Sequence, residues 1–111
     1  MYKIYGIPNC NTVKKALNAL DTTKKPYTFI NFKKDPPTKE QIKHWKEAFG
    51  DWPANKKGTT FRKIKDEFEA ATPAKKTQIL IDNSSAIKRP ILMKGNRVLA
   101  FGFDEEKYSE L

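Results

Sequence analysis

The chain has 111 residues, and its 22 Lys and Arg outnumber 13 Asp and Glu to give a net charge of +9, with one cysteine and one histidine. That length fits a single domain with a modest core, while Cys10 and His44, each the only one of its kind, exclude an internal disulfide and a Cys/His zinc site. No stretch approaches the roughly 20 apolar residues of a membrane span, and the opening run lacks a signal-peptide layout, so a cytoplasmic, reducing setting is expected.

Residues 2–6 are apolar and short, which predicts a buried strand. From Asn11 to about Leu20, apolar Val13, Ala16, Leu17 and Leu20 oppose Lys14, Lys15 and Asn18, which predicts an amphipathic helix. Residues 26–32 are rich in aromatic and β-branched side chains and predict a second strand. Strand, helix and strand in this order make a right-handed βαβ unit with parallel strands.

After the break at Asp35-Pro36-Pro37, Thr38 and Gln41 fit a capping box for a helix with Ile42, Trp45, Ala48 and Phe49 in periodic positions and Gly50 at its end. Thr60-Phe61-Arg62-Lys63-Ile64 begins another short helical piece. Thr72-Pro73 starts another helix that runs to about Asn83 and buries Ile79 and Leu80. Residues 90–93 and 97–100 read as strands of a hairpin joined by Lys94-Gly95-Asn96. A last helix around Phe103–Tyr108 has Asp104 as its cap.

The order is βαβ, then helices, then ββα. Set aside the middle helices and the plan is thioredoxin-like: a mixed four-stranded α/β sheet within one domain, residues 1–111, carrying a helical insertion over about residues 38–85.

Cys10 falls where the first strand gives way to the first helix. Unpaired amides and the helix dipole at such a terminus favour a thiolate. A buried cysteine that merely fills space is the simpler alternative, but Asn9, Asn11 and Thr12 make the surroundings polar. Arg89-Pro90 stands directly before a strand. In a thioredoxin-like plan a proline here is often cis, faces the thiol, and exposes the backbone before it to a ligand; an ordinary trans proline at a strand start is the alternative. The segment 55–63 carries Lys56, Lys57, Arg62 and Lys63 and no acid; near Cys10 its charge would lower the thiol pKa and hold an anion, and away from it the segment is a solvated loop. Position 13 is Val, so there is no CxxC and any disulfide of Cys10 must be with another molecule. His44 falls within a helix pattern and suits packing or surface better than a general base. The lysines come mostly in scattered pairs with no nucleic-acid motif, which argues against nucleic acid and fits an anionic small substrate or an acidic partner surface.

Residues 5–16 (Tyr-Gly-Ile-Pro-Asn-Cys-Asn-Thr-Val-Lys-Lys-Ala), residues 57–63 (Lys-Gly-Thr-Thr-Phe-Arg-Lys), residues 87–92 (Ile-Lys-Arg-Pro-Ile-Leu) and residues 102–108 (Gly-Phe-Asp-Glu-Glu-Lys-Tyr) together resemble the arsenate reductase (ArsC)-like family of thioredoxin-fold proteins, which includes the bacterial YffB-type proteins and the Spx regulators. The resemblance implies a glutathione-dependent thiol reductase. Cys10 matches the family nucleophile, and Arg89, before Pro90, matches an oxyanion-binding arginine. Asn11 and Thr12 would supply backbone donors, and Lys56, Lys57 and Arg62 a basic rim. Glutathione would be the co-substrate, with no bound cofactor or metal, glutaredoxin as a partner, and an anionic small molecule or protein disulfide as substrate; a monomer away from membranes and nucleic acid is expected. Arsenate reduction and an Spx-like adaptor that binds RNA polymerase are the alternatives. The chain departs from the family at Gly6, where the family has a histidine, at Lys56-Lys57 and Phe101-Gly102, where it has arginines, and at Val13, where the Spx switch has its second cysteine.

Overall fold

In the computed structural model, which describes residues 1–111, strand β1 (Tyr2–Gly6) leads into helix α1 (Asn11–Thr22), followed by β2 (Tyr27–Asn31), α2 (Lys39–Phe49), α3 (Thr59–Ala70), α4 (Pro73–Asp82), a 3-10 turn at Ser84–Ala86, β3 (Ile91–Lys94), β4 (Arg97–Phe101) and α5 (Glu105–Ser109). The chain divides into two units, Met1–Phe32 with Arg89–Leu111, and Lys33–Lys88.

The first unit holds a four-stranded sheet in the order β2-β1-β3-β4. β1 pairs in parallel with β2, Ile4 opposite Phe29, and antiparallel with β3, Ile4 opposite Leu92. The βαβ–ββα plan is therefore formed, with β1 and β3, which carry buried Ile4, Ile91 and Leu92, at the centre of the sheet. Ile4, Ala16, Leu20, Leu92, Ala100 and Tyr108 make one buried cluster, so α1 and α5 cover the same apolar patch. The hairpin is tighter than expected: Lys94 pairs with Arg97, which leaves a two-residue turn, and Gly95 takes φ 60, a conformation that suits glycine. At the other end of the sheet the Phe32 N–H donates to the Gly6 carbonyl (2.8 Å) and the Gly102 N–H to the Pro90 carbonyl (2.8 Å).

In the second unit α2 starts with the full capping box. The Gln41 N–H donates to the Thr38 hydroxyl (3.1 Å) and the Thr38 N–H to the Gln41 side chain (2.9 Å). Gly50 closes the helix at φ 85. Thr38→Ala should lower stability by about 1 kcal/mol in urea denaturation; an unchanged midpoint would mean the box contributes nothing here. Ile42 and Trp45 are buried, whereas Ala48 and Phe49, placed in the same periodic set by the sequence, are exposed. Phe49 is the last helical residue and lies past the buried stripe, with the Lys88 ammonium 5.6 Å over its ring. Helix α3 is not the short piece expected but runs twelve residues, because Phe61, half-buried Ile64 and Phe68 continue one apolar face through the charged residues between them. Their rings meet at 5.4 Å, and Trp52 packs edge-on to Phe68 at 5.8 Å. The loop before α3 is tied to the segment after α4: the Asn55 N–H donates to the Ala86 carbonyl (2.7 Å) and the Lys88 N–H to the Pro53 carbonyl (2.9 Å).

Candidate active site around Cys10

Cys10 is the N-cap of α1. Its backbone is extended (φ −109, ψ 123), and its carbonyl accepts the first helical bond from the Lys14 N–H at 3.0 Å. Thr12 and Val13 occupy the second and third helical positions, whose amides have no intrahelical partner and point towards a capping side chain. The Cys10 side chain forms no cap hydrogen bond, as befits a thiol sulfur, a weak acceptor; a thiolate is a far better one. Partial burial alone would push the Cys10 thiol up. The Val13 amide, the Arg89 guanidinium through its hydrogen bond and charge, and the Thr12 amide together outweigh burial and bring it below its ordinary value.

The sheet brings Arg89 to this thiol. Arg89 immediately precedes β3, which pairs with β1, and Cys10 follows β1. The Arg89-Pro90 peptide bond is cis, Arg89 is half-buried, and Pro90 is fully buried. Strand order in the first unit therefore places a cation beside a thiol that is remote in sequence.

Of the two donors expected from the first turn, Thr12 acts on the thiol through its amide, and Val13 joins it in place of Asn11. The side chains of Asn11 and Thr12 are exposed. Val13 is fully buried. Its side chain lies against Gly6: a Cβ built on Gly6 would fall 2.8 Å from the Val13 Cγ2. A glycine within a strand marks close approach by a neighbour, and that was the sequence signal for this contact.

Lys56, Lys57 and Arg62 belong to the second unit. Lys56 and Lys57 line a depression of about 340 Å³ with Phe49, Asn55 and Lys88. Lys56 also pairs with Asp51 at 3.1 Å, both side chains being largely exposed. The Asp51 carboxyl is lowered first by the Trp52 amide and then by the Lys56 ammonium. Arg62 is exposed in the first turn of α3. His44 is half-buried on α2. No three His, Cys, Asp or Glu side chains gather where they could hold a metal ion, and no helix is long and apolar enough to cross a membrane.

The model of the ArsC family matches residues 5–111, which include the thiol, the cis proline and both units. The chain belongs to the ArsC family. Among ArsC-type relatives, the solved YFFB protein is 35% identical, with 99% of this chain and 97% of that one covered and a TM-score of 0.88. A Streptococcus mutans protein whose structure is described as that of a possible arsenate reductase is 29% identical, with 93% and 91% covered and a TM-score of 0.77. An uncharacterized Haemophilus influenzae protein is 31% identical over 110 residues, 97% of this chain and 96% of its own length. The fold is thioredoxin-like, as the order of strands and helices predicted.

Proposed function

We propose that this ArsC-family protein is a reductase that works through Cys10 alone and takes its second thiol from glutathione. The observation that carries the reading is the placement of Cys10 at the start of α1, next to the strand that pairs with β3, with Arg89 directly before β3 and lowering the thiol pKa together with the first-turn amides. The likeness to a protein described as a possible arsenate reductase supports reductase chemistry. The presence of a single cysteine supports an external thiol, since no second sulfur in the chain can resolve a mixed disulfide.

In the proposed cycle the Cys10 thiolate attacks one sulfur of a substrate disulfide, and the other sulfur leaves as a thiolate and takes up a proton. Glutathione thiolate then attacks the substrate sulfur now bonded to Cys10, and the Cys10 thiolate is the leaving group. One substrate sulfur is released as a thiol and the other departs in a mixed disulfide with glutathione, so the disulfide count is unchanged until a second glutathione frees that sulfur and leaves as glutathione disulfide. A low Cys10 pKa serves both halves: it raises the thiolate fraction for attack and makes Cys10 a better leaving group. Arg89 supplies a planar, permanent cation for the substrate or for a glutathione carboxylate. Lys56, Lys57 and Arg62 are assigned anion binding on the strength of their charge, Asn11 and Thr12 donation from the first turn of α1, and glutaredoxin the removal of glutathione from any glutathionylated Cys10.

The test is incubation of the reduced protein with glutathione disulfide, followed by intact-mass measurement. A gain of one glutathione, absent in Cys10→Ser and reversed by excess glutathione, is expected. A wild-type protein that stays unmodified while an unfolded control reacts would overturn the reading. Arsenate as the oxidised substrate is the second reading, favoured by the Streptococcus mutans likeness; glutathione-dependent release of arsenite that needs Cys10 would establish it, and its absence at saturating glutathione would remove it.

A further inference from the structure

The second unit carries a groove with no part in thiol chemistry. It lies between α2 and the start of α4 and holds about 320 Å³. Lys39, Lys43 and Lys46 line one side, and Trp52, Pro73 and Thr77 supply the rest of the wall. The three lysines are at helical spacings of four and three residues, so they share one face of α2. No carboxylate lines the groove. Glu40 and Glu47 stand about 100° around the helix from Lys39 and Lys46 but only three and four residues from Lys43, so they flank the row on that side without lining the groove. Asp51, the acid next to Trp52, pairs with Lys56 at 3.1 Å and also feels the charge of Lys46, and the first turn of α4 has no acid. The lysine row is therefore a local excess of positive charge within a basic protein.

The groove is also apolar where it matters for docking. Trp52 is half-buried, fixed by its edge contact with Phe68, and the Lys46 ammonium stands 4.5 Å over its ring. An aromatic anchor point beside a charged rim is the usual make-up of a protein-binding hot spot. The volume, at the low end of small-ligand pockets, accommodates one or two side chains. Single-stranded nucleic acid fits less well: the lining offers one aromatic ring and no Arg, where stacking surfaces use several rings in series.

We propose that this groove docks an acidic amphipathic segment of a partner protein, with carboxylates along Lys39, Lys43 and Lys46 and one apolar side chain against Trp52. The segment lies against α2 as a helix, whose carboxylates at i, i+4 and i+7 reproduce the rise of about 6 and 4.5 Å along the lysine row, where a strand would repeat them evenly at about 6.6 Å.

A synthetic helical peptide with Glu on one face and Leu on the other tests this, alongside the same peptide with Gln for Glu and a thymidine oligonucleotide, all at one salt concentration. The full chain should bind the Glu peptide, with amide shifts confined to α2, Trp52 and the start of α4. Lys39→Glu/Lys43→Glu/Lys46→Glu should weaken binding at least about tenfold. Lys3→Glu/Lys24→Glu/Lys107→Glu makes the same change in net charge on exposed lysines of the other unit and should weaken it far less. Trp52→Ala, checked for folding by circular dichroism, should also weaken it, and Cys10→Ser should leave it unchanged, which separates this site from the reductase reading. No binding of the Glu peptide, equal binding of the Gln peptide, equal loss in the two charge-reversed variants, or tighter binding of the oligonucleotide through the same lysines would each overturn the proposal.

Discussion

Arg89→Leu should move the pH midpoint of Cys10 alkylation upward, because it removes both a hydrogen bond and a positive charge from the thiolate. The Val13 and Thr12 amides remain, so the midpoint should stop short of that in the unfolded chain. With neutral iodoacetamide the rate at neutral pH should fall, since less of the thiol is ionised. The limiting rate at high pH should hold or rise slightly, because a thiolate of higher pKa is the stronger nucleophile. With anionic iodoacetate the loss should be larger, since the guanidinium that attracts the reagent has gone as well. In the proposed cycle Arg89 both lowers the thiol pKa and holds an anion, so turnover with glutathione should fall by roughly 10²-fold. Lys in place of Arg should restore the midpoint better than the turnover, because an ammonium supplies charge without the planar fork. Stability follows the same sign. The folded-state pKa of Cys10 lies below its unfolded value, so between the two the unfolded chain binds more protons and stability rises with pH. That contribution is complete above the unfolded pKa and vanishes as pH falls through the folded one. Arg89→Leu should flatten the rise, and Cys10→Ser should abolish it. An alkylation midpoint that does not move in Arg89→Leu would mean the guanidinium leaves the thiol unaffected.

Much of this site could be read from the sequence because it depends on local rules. A thiol between an apolar strand and an amphipathic helix is at a helix N-terminus whatever the rest of the chain does. Thr38 with Gln41, Thr72 with Pro73, and Asp104 each mark a helix start with the side-chain chemistry that caps it, and all three cap as read. Arg89-Pro90 required more: its position beside Cys10 follows only once β3 is known to pair with β1, a pairing across more than half the chain that here rested on the thioredoxin-like plan. Periodicity failed where few positions carried the signal. In α3 the buried residues are Phe61 and Phe68, and the three residues after Ile64 are all charged, so a short window ends before the second phenylalanine. In α2 the same pattern extended one turn too far, to Phe49, because periodicity says which face is apolar and not where cover ends. The isomer of Arg89-Pro90 is a tertiary property, and the sequence left it open; in the fold it is cis.

Gly6→Ala should destabilise the protein and loosen the thiol site together, although it adds one methyl group ten residues or fewer from every group concerned. The added Cβ would sit 2.8 Å from the Val13 Cγ2 and 3.5 Å from its Cγ1, and its nearest neighbours all belong to Val13. Val13 is fully buried, and a β-branched side chain in a helix is held in one rotamer, so it has no free space to turn into. The strand and the first turn of α1 must then move apart. Overpacking of this kind costs about 1–3 kcal/mol, a large share of a stability of roughly 5–15 kcal/mol. The turn that moves is the one whose Val13 and Thr12 amides lower the Cys10 pKa, so the alkylation midpoint should rise as in Arg89→Leu. Val13→Ala removes both methyl groups that the new Cβ would meet. Alone it leaves a cavity and lowers stability; combined with Gly6→Ala it should relieve the clash, so that the double variant is more stable than the sum of the single losses predicts and recovers most of the low midpoint. Additive losses would show that Gly6 and Val13 are not coupled. A stability loss with an unchanged midpoint would show that the packing of α1 on β1 does not reach the thiolate. Any side chain on Gly6 meets Val13 first, so the residue three positions after Cys10 also limits what can stand four positions before it.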